Sequence, residues 1–271
     1  MRIYSIAVFM FLYVPIGIIV LFSFNSGRHA ADFQGFSVQW YGKALSNPFV
    51  MEALTTSLTI ALSAAVLSSL MGTTAALALQ RMRGPVRVLF DGLIYISIMI
   101  PGIVIGIATL VALVTVFDFL NPVLAAIWPG DIKPPKMTLG YATVVAAHTL
   151  FTMSLVIVLV RARIAGMDRT LIEASEDLYA TPWRTFYQVT LPQIYPAILA
   201  GFLLSFTFSF DDFIISFFVA GANTTLPIYV FASIRRGITP EVNAIGTMVL
   251  GVSLTLLIAA QYALRARLNN R

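Results

Sequence analysis

The chain has 271 residues, 59% of them hydrophobic and 11% charged, with mean hydropathy +0.89 and net charge +5. That is more apolar surface than a soluble core of this size can bury, which excludes a soluble domain and marks an integral membrane protein. With no cysteine, disulfides and thiolate metal sites are excluded as well.

A membrane span needs about 20 apolar residues. That length predicts six spans, over residues 3–24, 53–80, 90–117, 139–160, 196–220 and 243–264. The first apolar run, Ile3 to Phe24, is longer than the core of a secretory signal, and Asn25-Ser26-Gly27-Arg28 is no cleavage site. It is expected to remain as a helix. The loop over 25–52 carries Gly27, Gly35, Gly42 and Pro48 around Trp40-Tyr41; the loop over 118–138 carries Pro122, Pro129, Pro134 and Pro135. Both read as Pro/Gly turns with aromatics at the membrane interface, with a docking surface for an extracytoplasmic protein as the alternative.

Within the third span, Pro101-Gly102 with Gly106 predicts a kink, because proline removes an intrahelical donor and crowds the preceding turn. Asp91, near its inner end, is expected to cap or to pair with Arg87. The lone imidazole of His148 in the fourth span reads as hydrogen-bonded structure, without the further ligands a metal site needs.

Orientation follows from the basic residues. Arg2, the cluster Arg81, Arg83 and Arg87, the cluster Arg161, Arg163, Arg169 and Arg184, and the terminal Arg265, Arg267 and Arg271 fall on one side, eleven of the 17. The positive-inside bias puts that side, and both termini, in the cytoplasm. Because these charges sit at span ends, topology accounts for them and nucleic-acid binding does not.

Between the fourth and fifth spans lies a polar cytoplasmic segment, 161–195. Thr170 and Glu173 stand three apart as in a capping box, predicting a helix start. Leu171, Ala174, Ser175 and Leu178 share one face of that helix, and Glu173, Glu176 and Asp177 lie toward the other. Thr181 before Pro182 predicts a second start, with Trp183, Phe186, Tyr187 and Thr190 at helical spacing up to Leu191-Pro192. A surface helix resting on headgroups wants a basic polar face; the first of these has an acidic one.

The fifth span contains Asp211-Asp212. A carboxylate near a helix centre costs about 2.5–3.5 kcal/mol on insertion scales, so these need water, a cation or a partner. Ser205, Ser209, Asp212 and Ser216 continue a stripe from Gly201, while Asp211 lies about 100° around the helix, beside Thr207. The stripe reads either as a hydrophilic pathway for cationic cargo or as a helix-packing seam. Two neighbours on one helix cannot converge on one water, which argues against an aspartyl hydrolase. A cation-coupled secondary transporter would leave the acidic cytoplasmic helices unexplained.

Glu173-Ala174-Ser175, Tyr179 and Val189-Thr190-Leu191-Pro192 resemble the cytoplasmic loop of bacterial ABC importer permeases, Glu-Ala-Ala, three residues, Gly, then Ile/Val-x-Leu-Pro. Glu173-Ala-Ser-Glu-Asp-Leu-Tyr-Ala180 with Phe186 is most similar to the spermidine/putrescine-type branch. Pro15 with Ser23-Phe24-Asn25, Ala147-His148, the run Leu204 to Asp212 and Thr239-Pro-Glu-Val-Asn-Ala244 extend the resemblance over most of the chain.

The resemblance implies an all-α fold of six transmembrane helices in one permease domain, 1–271, working in the bacterial inner membrane. It implies a sister permease, two ATPase subunits and a periplasmic solute-binding protein as partners. Glu173, Ala174, Ser175, Asp177, Leu178, Tyr179 and Phe186 would couple to the ATPase, and Ser205, Ser209, Asp211, Asp212 and Ser216 would line the path of a polyamine, γ-aminobutyrate or another small solute. Lys43, Lys133 and Lys136 are followed by Ala, Pro and Met, so no Gly-Lys-Ser/Thr phosphate loop is present. The expectation is no cofactor on this chain, with ATP and Mg on the partner ATPase. Tyr179 departs from the pattern, since glycine there permits a left-handed bend that tyrosine disfavours by roughly 1–2 kcal/mol; either the bend is built without positive φ or packing offsets the strain.

Overall fold

The computed structural model describes residues 2–28, 32–130, 132–237 and 239–269. Backbone packing groups the chain into two units, Met1–Ala53 with Tyr229–Arg271, and Leu54–Ile228.

In the first unit, α1 (Arg2–Ser23) and α2 (Gln39–Ser46) both pack on α12 (Pro240–Asn269). The connection between α1 and α2 is folded around Asn25. Its side-chain amide donates to the Asp32 carbonyl at 2.8 Å, its Oδ1 accepts from the Gln34 amide at 2.9 Å, and its carbonyl accepts from the Trp40 indole at 2.8 Å. Trp40 is therefore a buried residue of a small cap. Asn47, just past α2, donates to Glu241 Oε1 at 2.9 Å and to the Tyr229 hydroxyl at 3.2 Å, pinning the cap to the start of α12.

The second unit is organised by α6 (Tyr141–Ala165), whose buried face includes Val144, Ala147, His148, Thr152, Val156 and Val160. On it pack α9 (Leu191–Asp211), α4 (Pro85–Met99) and α10 (Ile214–Val219). The α3 helix (Pro48–Arg81) reaches α6 through Ser68, which hydrogen-bonds Thr152. Small residues permit this close approach. A Cβ on Gly72 of α3 would stand 2.8 Å from Val156 Cβ, and one on Gly201 of α9 would stand 3.2 Å from Val156 Cγ1.

Five helical runs among the described residues are long and apolar enough to cross a bilayer: Tyr4–Ser23, Pro48–Arg81, Gly102–Ile127, Tyr141–Ala165 and Pro182–Asp211. The sixth expected span, 243–264, falls inside α12, several of whose side chains lie outside the described residues.

The two expected spans that contain Pro101 and Asp212 are not continuous. The third divides into α4 and α5 (Gly102–Ile127), because Ile100 and Pro101 are extended, with ψ 132 and 136. Proline drives the residue before it out of the helical region and cannot continue the hydrogen-bond ladder, so a break replaces the expected kink. The fifth divides at Asp212, also extended with ψ 118, into α9 and α10. Asp91 of α4 meets both Arg87, at 3.7 Å, and Arg161 of α6, tying the two helices at that end. The α11 helix (Leu226–Arg236) follows α10 after a turn at Gly221.

The Val156 seam makes a prediction. Gly72→Leu should lower the melting temperature of the purified protein, an overpacking cost of about 1–3 kcal/mol. Gly92→Leu, whose Cβ meets nothing within 4 Å, should stay within about 0.5 kcal/mol of the parent. Equal effects would contradict the seam.

Candidate functional site

The polar segment 161–195 forms a bracket of short helices. The helix α7 (Thr170–Asp177) begins where expected, but its cap is different. Thr170 is already helical, and its amide and hydroxyl both donate to Asp168 Oδ1, at 3.0 and 2.7 Å. Two capping residues stand two apart here, and the upstream carboxylate, the stronger acceptor, satisfies the free amide. The Thr170 hydroxyl and then its amide hold the Asp168 carboxyl below the ordinary range.

At its other end α7 closes in a Schellman motif. The Tyr179 amide donates to Glu176 O at 2.9 Å, the Ala180 amide donates to Ser175 O at 3.1 Å, and Tyr179 sits at φ 57. The left-handed bend is thus kept despite the tyrosine. Packing within the chain does not offset the strain, since Tyr179 is 96% exposed. Leu178, Trp183 and Tyr187 are exposed with it, and Trp183 stacks on Tyr187 with ring centroids 6.1 Å apart.

Thr181 occupies the position before α8 (Pro182–Thr185) in an extended conformation, without a side-chain cap. Ser175 and Thr185 hydroxyls meet at 2.9 Å and join α7 to α8. Ala174 is exposed and Phe186 half-buried. Glu173 and Glu176 face a cavity of about 640 Å³ behind the bracket, shared with Arg81 at the end of α3 and with Arg169.

The second short helix does not stop at Leu191-Pro192 as expected. It passes through a π turn, Phe186–Thr190, directly into α9, giving one helical run from Pro182 to Asp211. Pro192 lacks an amide and its ring crowds the carbonyl four residues earlier. The wider turn, in which Leu191 N donates to Phe186 O, accommodates it without a break.

At the far end of α9, the break is built around His148. The imidazole is buried; its Nδ1 lies 2.7 Å from Ser209 Oγ and its Nε2 lies 3.1 Å from Ser216 Oγ and 3.3 Å from Asp212 Oδ2. A carboxylate only accepts, so the network assigns a proton to Nε2 and, in the neutral ring, leaves Nδ1 to accept from Ser209. Asp212 Oδ2 also accepts the Ser216 amide at 3.0 Å and thereby caps α10. Ser205, Ser209 and Ser216 are buried.

Asp211 differs from its neighbour. It is exposed, and among the described residues it has no hydrogen-bond or ion-pair partner. Thr207, one turn back, is exposed on the same face. The sequence brings Asp211 and Asp212 together, and the helix end separates their roles. His148 as a three-way bridge was not legible from the chain, although Asp212 directly before the apolar run Ile214–Val219 is an N-cap signal that a hydropathy count passes over.

The description of binding-protein-dependent transport system inner membrane components matches residues 68–271. The putrescine transport system permease protein PotI of Escherichia coli (strain K12) is 38% identical over 90% of this chain and 83% of its own length. The spermidine/putrescine transport system permease protein PotC of the same strain is 34% identical over 96% of this chain and 91% of its own. Among solved structures, a bacterial ABC transporter involved in the import of the acidic polysaccharide alginate aligns with TM-score 0.74 at 15% identity, covering 97% of this chain and 92% of that one. An amino acid ABC transporter aligns with TM-score 0.53 at 18% identity, covering 83% and 98%.

The Asp168 cap predicts a pH dependence for α7. Its folded pKa lies below the unfolded one, so the contribution is complete above about pH 4 and lost as pH falls through the folded value. Exchange of the Thr170 amide, relative to its intrinsic rate, should stay constant from neutral pH to about 5 and rise below about 4. Asp168→Ala should show the faster rate throughout. Unchanged protection in Asp168→Ala would contradict the cap.

Proposed function

Because the chain belongs to the family of binding-protein-dependent transport system inner membrane components, we propose that it forms one half of the translocation pathway of a polyamine importer. A sister permease supplies the other half. Two ATPase subunits carry ATP and Mg and grip the loop at Glu173, Ala174, Ser175, Asp177, Leu178, Tyr179 and Phe186. A periplasmic binding protein delivers the cargo, and both termini lie in the cytoplasm.

The observation that carries the polyamine reading is the division of labour at the helix break. Asp212 is held by His148 and by the Ser216 amide, so its charge serves the fold. Asp211 is exposed and without a partner among the described residues. A carboxylate at membrane depth does not face lipid. It is satisfied by water and, in transit, by an ammonium group of the cargo. Phe208, exposed three residues back on the same side, offers a ring face to the same cation. Putrescine and spermidine, named for the two bacterial relatives, have the required charge.

The unbroken run from Pro182 to Asp211 supports a mechanical link. Its 30 residues span about 45 Å at about 1.5 Å each. One end bears the loop that the ATPase moves, and the other ends at the free carboxylate. The Ser175–Thr185 hydrogen bond makes α7 and α8 move together. ATP-driven closure of the ATPase subunits displaces this bracket, and the helical run carries the displacement to Asp211 and the break.

Transport assays separate the two carboxylates. Asp211→Asn should lower uptake efficiency for spermidine by about 10- to 100-fold, the size of a lost charge-assisted contact, with assembly intact. Asp212→Ala should mainly lower the melting temperature, because it uncaps α10 and removes the carboxylate beside His148. Parental spermidine uptake in Asp211→Asn would remove Asp211 from the pathway.

A further inference from the structure

Tyr179 combines a backbone conformation that the bend requires with a side chain that the fold does not use. It is the one non-glycine residue with positive φ among the described residues. It is also 96% exposed, above every other large apolar or aromatic side chain described. The Schellman bonds at Glu176 and Ser175 fix its backbone, and a glycine would make the same bend without strain. The ring has no stacking or hydrogen-bond partner among the described residues. The bend needs the conformation, and nothing in the chain needs the phenol.

We propose that Tyr179 is a docking knob that inserts its ring into an apolar pocket of the ATPase subunit and selects which ATPase this permease accepts. The proposal rests on the coupling role of the loop. Its surroundings define the pocket's chemistry. Leu178, Trp183 and Tyr187 extend the exposed apolar surface around the ring. Asp177, exposed two residues before the ring at the end of a helix with no basic residue, calls for a basic group on the rim of that pocket. A tyrosine ring held at fixed φ enters a pocket with little further loss of backbone freedom, the arrangement found at interface hot spots.

The test is reassociation of the ATPase subunit, stripped from the intact transporter and re-added to the permease pair in lipid nanodiscs. Tyr179→Gly and Tyr179→Asn accept the left-handed backbone but lack the ring, and should weaken association about 10-fold or more. Tyr179→Phe keeps the ring and should stay within about threefold of the parent. Melting of the permease pair alone should not fall in any of them, since the side chain is exposed. Parental affinity in the Gly and Asn variants overturns the knob, and so does a loss in Tyr179→Phe as large as theirs. Glu173→Lys separates the ring from the rest of the loop. If it abolishes association while Tyr179→Gly does not, the loop docks without the knob; if neither changes association, the coupling role of the loop fails as well.

Discussion

A helix that stops inside a membrane leaves amides and carbonyls that no water can reach cheaply, and each has to find a partner within the protein. At the end of α9 that partner is Asp212. It caps the Ser216 amide and faces His148, which in turn bridges Ser209 and Ser216 across the gap. The imidazole is thus joined to both sides of the break and is held by α6, the most buried helix of its unit. The same break leaves Asp211 at a helix end, exposed and unpaired among the described residues.

The opposite end of the same run solves a different backbone problem. Pro192 would interrupt a regular helix, and the π turn at Phe186–Thr190 widens the ladder so that the helix continues. Continuity matters because α8 belongs to the polar bracket and α9 to an apolar helix packed on α6. The bracket has few supports of its own: α7 has no buried residue, and a cavity lies behind it. Its shape depends on three local devices, the Asp168 cap, the Schellman turn at Tyr179 and the Ser175–Thr185 bond. An element of this kind is suited to being gripped from outside.

Much of this was legible in the chain. Hydropathy located the helices around 3–24, 53–80 and 139–160 because apolar length is what a bilayer demands. It overran the breaks at Pro101 and Asp212, since a count of apolar residues does not register a proline's effect on its predecessor or a carboxylate used as a cap. The start of α7 was readable, but the choice between Asp168 and Thr170 as its cap turns on backbone angles. Tyr179 posed a conflict that sequence alone left open, and the structure resolves it in favour of positive φ. His148 required tertiary packing, because its partners lie 61 to 68 positions away.

If the loop receives force and Asp211 meets a cation, as proposed, ATP turnover must respond to the cargo. The most direct measurement is ATP hydrolysis by the purified assembly in lipid, with its binding protein empty or loaded with spermidine, putrescine or γ-aminobutyrate. Stimulation by the di- or triamine above the empty and γ-aminobutyrate states is the predicted result. Stimulation by γ-aminobutyrate alone would contradict the polyamine pathway at Asp211, and no stimulation by any loaded protein would contradict the coupling itself.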